Sequence, residues 1–476
     1  MNFARDFVDA IPRRRPALIE LTRDGTRRVW SFGEVADRSA RLGHLLRRLG
    51  VRRGDVVMII IGNRPDWVFS MLASLRIGAV ALPCNEQLRS DDITLRLRVA
   101  RPRVVICDER NSAQLEGAAP TCPVLYTPND ALFRLPPTPS LDLRPDDPSL
   151  IVFTSGTSGE PKAVVHAQRY FVAQRLQAVH WLGARPGHVV WCTTASGWSK
   201  SARNVFIGPW LCGATALIHD ARFDPHERLA IAAAERVNVL CMTPTEYRIV
   251  ASGLDNWSAP ELAQLVSAGE RLDPAVLQRW SDSTGIDIRD GYGQTETGHL
   301  IANRPGESPR QGSMGRPLPG VKLWTEGGEL VVDSATVPTF FHGYLGTAQP
   351  HAAGVWRTGD RVNQDEDGYL YFEGRADDVI VSAGYRIGPD EVETALVAHP
   401  AVAEAAVVAK DDVERGAVVK AVLVLAEGWV PSADLTRGIQ DHVKTITAPY
   451  KYPRVVEYVA SLPRTSSGKV KRADLR

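Results

Sequence analysis

Four short stretches of this sequence carry residue types able to handle phosphate. The first reads "FTSGTSGEPK" over residues 153–162. Gly156 and Gly159 permit backbone conformations in which successive amide hydrogens converge. The hydroxyls of Thr154, Ser155, Thr157 and Ser158 add donors and Lys162 adds positive charge, so the stretch can cradle a polyphosphate. Lysine is scarce here, nine residues against 47 arginines, which makes its placement informative. The spacing is not G-x-x-x-x-G-K-[ST], so a P-loop is not the reading. A plain Ser/Gly surface loop is the alternative. The apolar run "SLIVF" just before it counts against that, because α/β proteins hold ligands at the carboxyl ends of strands.

The second stretch, "DGYGQTETG" from Asp290 to Gly298, follows the strand-like "IDIRD". Glu296 offers carboxylate oxygen to a magnesium ion bound to phosphates. Thr295 can hydrogen-bond a phosphate and Tyr292 can stack on a base. Taken alone, a glycine-rich turn fits these residues equally well. The third, "WRTGDRV", sets Asp360 in a glycine turn, where its carboxylate could accept from two ribose hydroxyls. The fourth, "LPRTSSGKVKR", sets Lys469 in a glycine-flanked loop, with a basic tail as the plain alternative.

Repeating βα units are predicted to position these loops. Between residues 30 and 125, helical patterns ("SFGEVADRSARLGHLLRRLG", "DWVFSMLASLRIGA") alternate with short apolar runs ("DVVMIII", "AVALPC", "RVVICDE"), and a second such series follows the first motif. From about 305 to 372 the pattern changes to short strands separated by Gly, Pro and Asp turns. The remainder reads as a small α+β domain, with Leu435, Ile439 and Val443 marking the packed face of its last helix. The expected fold is therefore α/β. Residues 1–376 form a large N-terminal domain of two α/β lobes plus a β-rich subdomain. Residues 377–476 form a small mobile α+β C-terminal domain, with the joint near Asp377.

Bulk properties exclude several classes. A formal net charge of +1 gives no global attraction for nucleic acid or a membrane surface. The six cysteines are scattered, without CxxC pairs or zinc spacing, and fit a reducing compartment. The longest apolar runs fall far short of a membrane span, and the first residues lack the apolar core of a signal peptide, so a cytoplasmic protein is expected.

With the four stretches in this order, the chain resembles the adenylate-forming superfamily of acyl-CoA synthetases, carrier-protein-loading adenylation domains and firefly luciferase. "ASGWSKSARNVFIGPWLCGA", "GRADDVIVSAGYRIGPDEVE" and "TAPYKYPRVVEYVASLPRTSSGKVKR" look most like the medium-chain acyl-CoA synthetase branch. The resemblance covers nearly the whole chain. It implies an acid:CoA ligase that uses ATP, Mg2+ and CoA, forms an acyl-adenylate from a small to medium-chain or aromatic carboxylic acid, and releases AMP and pyrophosphate.

The resemblance also implies roles by position. Thr154 to Lys162 would lie over the ATP phosphates. Asp290, Gly291, Tyr292, Gly293, Gln294 and Thr295 would line adenine and the α-phosphate, with Gly269 and Glu270 beside them. Glu296 would hold the metal, Asp360 the ribose hydroxyls, and Arg375 and Arg386 would lie near the nucleotide. Lys469 would reach the substrate carboxylate and α-phosphate, and Asp377 would be the hinge. Ala383, Gly384 and Tyr385 would meet the pantetheine arm, while Arg415, Lys444, Tyr452, Pro453 and Arg454 would receive the nucleotide end of CoA.

Trp198 is the candidate for contact with the acyl group, whereas Phe206 and Trp210 read as core. His299 reads as packed or solvent-facing, and His166 is open between packing and substrate contact. A homodimer is the assembly considered. The alternatives are an enzyme that loads a carrier-protein thiol and, from another class, a catalytically silent nucleotide sensor.

Overall fold

A computed structural model describes residues 1–154, 161–269, 272–347, 354–375, 378, 380–382, 385–412, 415–447, 449–464 and 469–476, with backbone alone for 381, 385 and 386. Of the residues singled out above, Ser155, Gly156, Thr157, Ser158, Gly159, Glu270, Asp377, Ala383 and Gly384 lie outside the described residues, as do the side chains of Tyr385 and Arg386.

Contacts divide the chain into two compact units. The first comprises Met1–Thr154, Pro161–Lys322 and Asp333–Gly354. Among its described residues are two large sheets, one for each α/β lobe expected. A seven-stranded sheet runs in the order 343–344, 163–167, 148–153, 80–84, 56–60, 104–108, 124–127. Its centre is parallel. Val56–Ile60, Val80–Cys84 and Val104–Asp108 are buried along their whole length, which is why they read as unbroken apolar runs and not as alternating patterns. The helix Phe32–Arg48 starts at a capping box: Glu34 N donates to Ser31 Oγ, and Ser31 N donates to Glu34 Oε2.

A nine-stranded sheet runs in the order 316–317, 298–302, 288–294, 264–268, 239–241, 189–192, 215–219, 16–21, 27–31. Phe206 helps join the lobes, and Trp210 is anchored to the nine-stranded sheet. Phe206 lies edge-on to Trp67 at 5.4 Å, and Trp210 Nε1 donates to Ala17 O at 2.8 Å. Both are buried, as core residues should be.

The second unit comprises Leu323–Val332 and the residues from Val355 onward. Two hairpins make a four-stranded sheet in the order 323–326, 329–333, 355–364, 370–375. A separate sheet of 402–412, 416–425 and 455–458 is covered by the helices Pro389–Val397 and Ala433–Ile446. The i, i+4, i+8 face of the latter helix packs as predicted. Ile439 and Val443 are fully buried and Leu435 lies against the same core.

One alternative and one expectation differ from what forms. "GYGQT" does not begin a turn after its strand. The strand Ile288–Gln294 runs on through the glycines and pairs with Gly298–Ala302. Asp360 lies inside the ten-residue strand Val355–Gln364, not in a turn, and the glycine signal reflects a positive φ of 69° at Gly359. At Gly293 the glycine serves close approach within the ladder: a Cβ there would fall 1.9 Å from Gly298 O.

Candidate active site

The ends of the first motif are held together by the antiparallel strands Pro148–Phe153 and Ala163–Ala167. Thr154 N donates to Lys162 O at 2.9 Å, and Lys162 N donates back to Thr154 Oγ1 at 3.3 Å, which leaves the Lys162 side chain exposed. At the edge of this sheet the short strand Gly343–Tyr344 pairs with Val164 and Val165. That pairing brings up a residue the sequence reading passed over. The Tyr344 hydroxyl donates to Glu296 Oε1 at 3.0 Å, and the Lys162 ammonium lies 5.4 Å from the centre of the same ring. Burial, and then the charge of Glu296, push the phenol above its ordinary value, so it remains a donor. Lys162 and Glu296, far apart in sequence, are thus brought to one tyrosine.

Glu296 is also fixed through its backbone. Its carbonyl accepts from Phe341 N at 2.7 Å, and Thr339 Oγ1 donates to the neighbouring Thr297 O at 2.5 Å. One carboxylate oxygen is engaged by Tyr344. A half-buried carboxylate near the exposed Lys162 could hold Mg2+, which keeps several waters and binds through one or two carboxylates plus substrate phosphates.

Asp290, at the start of the second motif, has a carboxyl pushed up to about 8. Loss of solvent is the main cause, opposed by the hydrogen bond from Gly291 N and by the charge of Lys200. Lys200 was not anticipated either. Its ammonium donates to Ala268 O at 2.7 Å, and a Cβ on Gly269 would fall 2.8 Å from it. Lys200 therefore ties the segment after Trp198 to the strands bearing Gly269 and Asp290. The rarity of lysine was its signal in the sequence.

The raised carboxyl of Asp290 sets a pH dependence. Its proton is bound in the folded chain and lost in the unfolded chain between the ordinary 3.8 and about 8. The resulting stability is full below the ordinary value and is lost as pH rises through the folded one. Buried histidines with depressed values add no slope above their ordinary range. Compared with Asp290→Asn, which shares the opposing slope of the buried histidines near their ordinary value, the unliganded wild type is therefore expected to lose melting temperature as pH rises from about 5 to about 8. Equal slopes in melting curves of the two proteins would contradict this.

Trp198 is half-buried, and its carbonyl accepts from Ser201 Oγ at 2.7 Å. The turn that carries it docks on the carboxyl end of Val80–Cys84, where a Cβ on Gly197 would fall 2.3 Å from Asn85 N. Ser196 Oγ bonds Ile61 O, at the end of the next strand. His166 and His299 are both buried. His166 stacks on Tyr170 at 4.0 Å and His299 on Trp181 at 4.2 Å. For His299 that rules out the solvent-facing role and leaves packing.

In the second unit the structure pairs the two expected nucleotide contacts. Arg375 Nη1 donates to the buried Asp360 Oδ1 at 3.0 Å, from the residue directly across the ladder. Part of the expected CoA set also converges. Tyr452 has the Lys444 ammonium 4.4 Å from its ring centre and the Arg454 guanidinium at 4.8 Å, and Arg454 Nη1 donates to its hydroxyl. Pro453 is buried beside them, its carbonyl held by Gln440 Nε2 at 2.9 Å. Arg415 sits at the hairpin between 402–412 and 416–425, its amide on Asp412 Oδ1. Lys469 is exposed, next to the bridge between Arg464 and Val470.

Residues 6–345 match the family described as AMP-binding enzyme, and 391–469 match the AMP-binding enzyme C-terminal domain. The human protein named acyl-coenzyme A synthetase ACSM4, mitochondrial, is 36% identical over 522 residues, covering 100% of this chain and 90% of its own length. The crystal structure of a Brucella canis acyl-CoA synthetase superimposes with a TM-score of 0.76 at 32% identity, covering 100% of this chain and 94% of that one. That of the anthranilate CoA ligase AuaEII, in complex with anthranoyl-AMP, gives 0.87 at 29% identity, covering 100% and 96%. Because both models match in order and the relatives align along almost their full length, the chain belongs to the AMP-binding enzyme family.

Proposed function

We propose that this protein is an AMP-forming acid:CoA ligase, which activates a carboxylic acid with ATP and transfers the acyl group to the thiol of CoA. The observation that carries the proposal is the meeting of Lys162 and Glu296 on Tyr344, which supplies a cation and a metal-binding carboxylate to one polyphosphate. Full-length similarity to acyl-CoA synthetases favours it over carrier-protein loading and over a silent sensor.

Oxide is a poor leaving group, so a free carboxylate does not acylate a thiol. Attack of a carboxylate oxygen on the α-phosphorus forms a P–O bond and breaks the bond to pyrophosphate, leaving an acyl-adenylate. The thiol sulfur then attacks the acyl carbon, AMP departs, and the thiol proton is released. Mg2+ neutralises phosphate charge when bound. On the protein side, Lys162 and the loop before it orient the β- and γ-phosphates, Glu296 holds the metal, and Thr295 and Lys469 meet the charge that grows at the α-phosphate. Fixed donors and cations of this kind commonly contribute about 100- to 1,000-fold each.

Asp360 and Arg375 take the ribose, and the stretch Asp290 to Gln294 takes adenine. In the thioester step Lys469 would obstruct the thiol. The reading therefore places a hinge at Asp377, which exchanges Lys469 for the segment Ala383 to Tyr385, and it places the CoA nucleotide on Lys444, Tyr452 and Arg454. No helix among the described residues is long and apolar enough to cross a membrane, and the six cysteines form no disulfide. A cytoplasmic site of action accords with both.

Incubation with ATP, Mg2+ and a panel of linear, branched and aromatic acids, each with and without CoA, tests the reading. Multiple-turnover pyrophosphate release that requires CoA, with the thioester seen by mass spectrometry, is the expected result. Turnover indifferent to CoA would move the acceptor to a carrier protein.

A further inference from the structure

Several side-chain donors buried near the strand Ile288–Gln294 lack a matched partner. Arg203 is 6% exposed, its Nε and Nη1 lack any hydrogen-bond partner, and among the described residues no carboxylate pairs with it. Around it, buried Trp181 Nε1, Asn204 Nδ2 and His299 Nε2 are likewise unmatched, and Tyr170 and His166 feel the charge of Arg203. The amide of Asn204 is held by Gln177 Nε2, which donates to its Oδ1 at 2.8 Å and leaves Nδ2 as a free donor.

The helix Arg169–Gln177 carries Tyr170, against which His166 stacks, and packs on the segment Arg203–Ile207. Burial, reinforced by the charge of Arg203, pushes His166 down to about 3 and His299 well below the ordinary value, so neither imidazole adds a second charge. The cluster is thus a fixed cation ringed by neutral groups, most of them able to donate, with Lys200 and Arg169 adding positive charge nearby. An unpaired buried guanidinium is costly, and so many unmatched donors in one place are rare in a folded core.

The cluster adjoins the reaction site. A Cβ on Gly291 would fall 2.2 Å from His299 Nε2 and 2.8 Å from Trp181 Nε1, so these two rings lie directly behind the stretch assigned to the adenylate. Arg203 follows Trp198 along the chain, after the turn closed by Ser201. A substrate whose carboxylate reacts in front of Gly291 would extend its other end toward this cluster.

We propose that the acid carries a second anionic group, most simply a second carboxylate, and that Arg203 is the residue that selects it. This rests on the ligase reading above and narrows it from small to medium-chain or aromatic acids to those bearing a distal carboxylate. A planar carboxylate can take the guanidinium fork in parallel hydrogen bonds and use the remaining donors. A purely apolar chain would leave all of them unpaired, and sites built in this way discriminate strongly against analogues that lack the matching group.

The test compares kcat/KM for mono- and dicarboxylic acids matched in length, linear and aromatic, with the wild type, Arg203→Met and Arg203→Lys. The wild type should favour a dicarboxylic acid over its match by about 100-fold or more. Arg203→Met should reverse that preference chiefly through KM, and Arg203→Lys should retain part of it. The unliganded Arg203→Met protein should melt at the wild-type temperature or above, because an unpaired buried charge has been removed.

Wild-type preference for monocarboxylic acids, unchanged selectivity in Arg203→Met, or a marked fall in its melting temperature would overturn the proposal while the ligase reading stands. If no acid of either kind gave pyrophosphate release, the ligase reading would fail and this inference with it.

Discussion

Replacement of Lys469 by alanine is expected to slow adenylate formation by about 100- to 1,000-fold and to leave thioester formation from a preformed acyl-adenylate within a few-fold of wild type. The asymmetry follows from where charge develops. In the first half-reaction the substrate carboxylate must approach an α-phosphate that is already anionic, and the pentavalent arrangement that follows concentrates negative charge between them. A lysine ammonium is a compact point charge suited to that position. In the second half-reaction the adenylate loses AMP, and the leaving phosphate needs little help. Lys469 is exposed beside the Arg464–Val470 bridge, so alanine there opens no cavity and melting temperature should change little. Single-turnover assays of each half-reaction measure the split, and equal slowing of both would contradict the assigned role.

Replacement of Glu296 by glutamine should cost about 100-fold or more in adenylation and raise the Mg2+ concentration needed for half-maximal rate, since a neutral amide is a weak ligand for a hard cation. Tyr344→Phe is the informative partner. It removes the hydroxyl donated to Glu296 and leaves the ring that faces Lys162. A hydrogen bond to a charged group is worth about 1.5 to 3 kcal/mol, so the variant should lose about 10- to 100-fold by misplacing Glu296. Its Mg2+ requirement should move in the same direction, but less. If Glu296→Gln kept its wild-type Mg2+ dependence, the carboxylate would not be the metal ligand.

Much of the architecture was legible because its signals are local. Unbroken apolar runs at 56–60, 80–84 and 104–108 mark parallel strands buried on both faces, and Leu435, Ile439 and Val443 mark one helix face. Thr154 and Lys162 were legible as the ends of a single loop, and they do bond each other. What could not be read depends on pairings remote in the chain. Tyr344 reaches Glu296 only because a two-residue strand adds to the edge of a sheet made much earlier in the sequence. "GYGQ" admitted a turn and "TGD" was misread as one because glycine marks both turns and close backbone approach, and only the ladder partner tells which. Arg203 gave no signal at all. In sequence it is one arginine among 47, and its lack of a counter-ion is a property of the folded neighbourhood.

The central claim is that an acyl-adenylate forms before the thioester. Acid-dependent exchange of labelled pyrophosphate into ATP, measured with Mg2+ in the complete absence of CoA, tests it most directly. The account predicts exchange that requires the acid and then, once CoA is added, one AMP for each acyl-CoA formed. Acyl-CoA accompanied by ADP and phosphate, with no exchange in the absence of CoA, would contradict it.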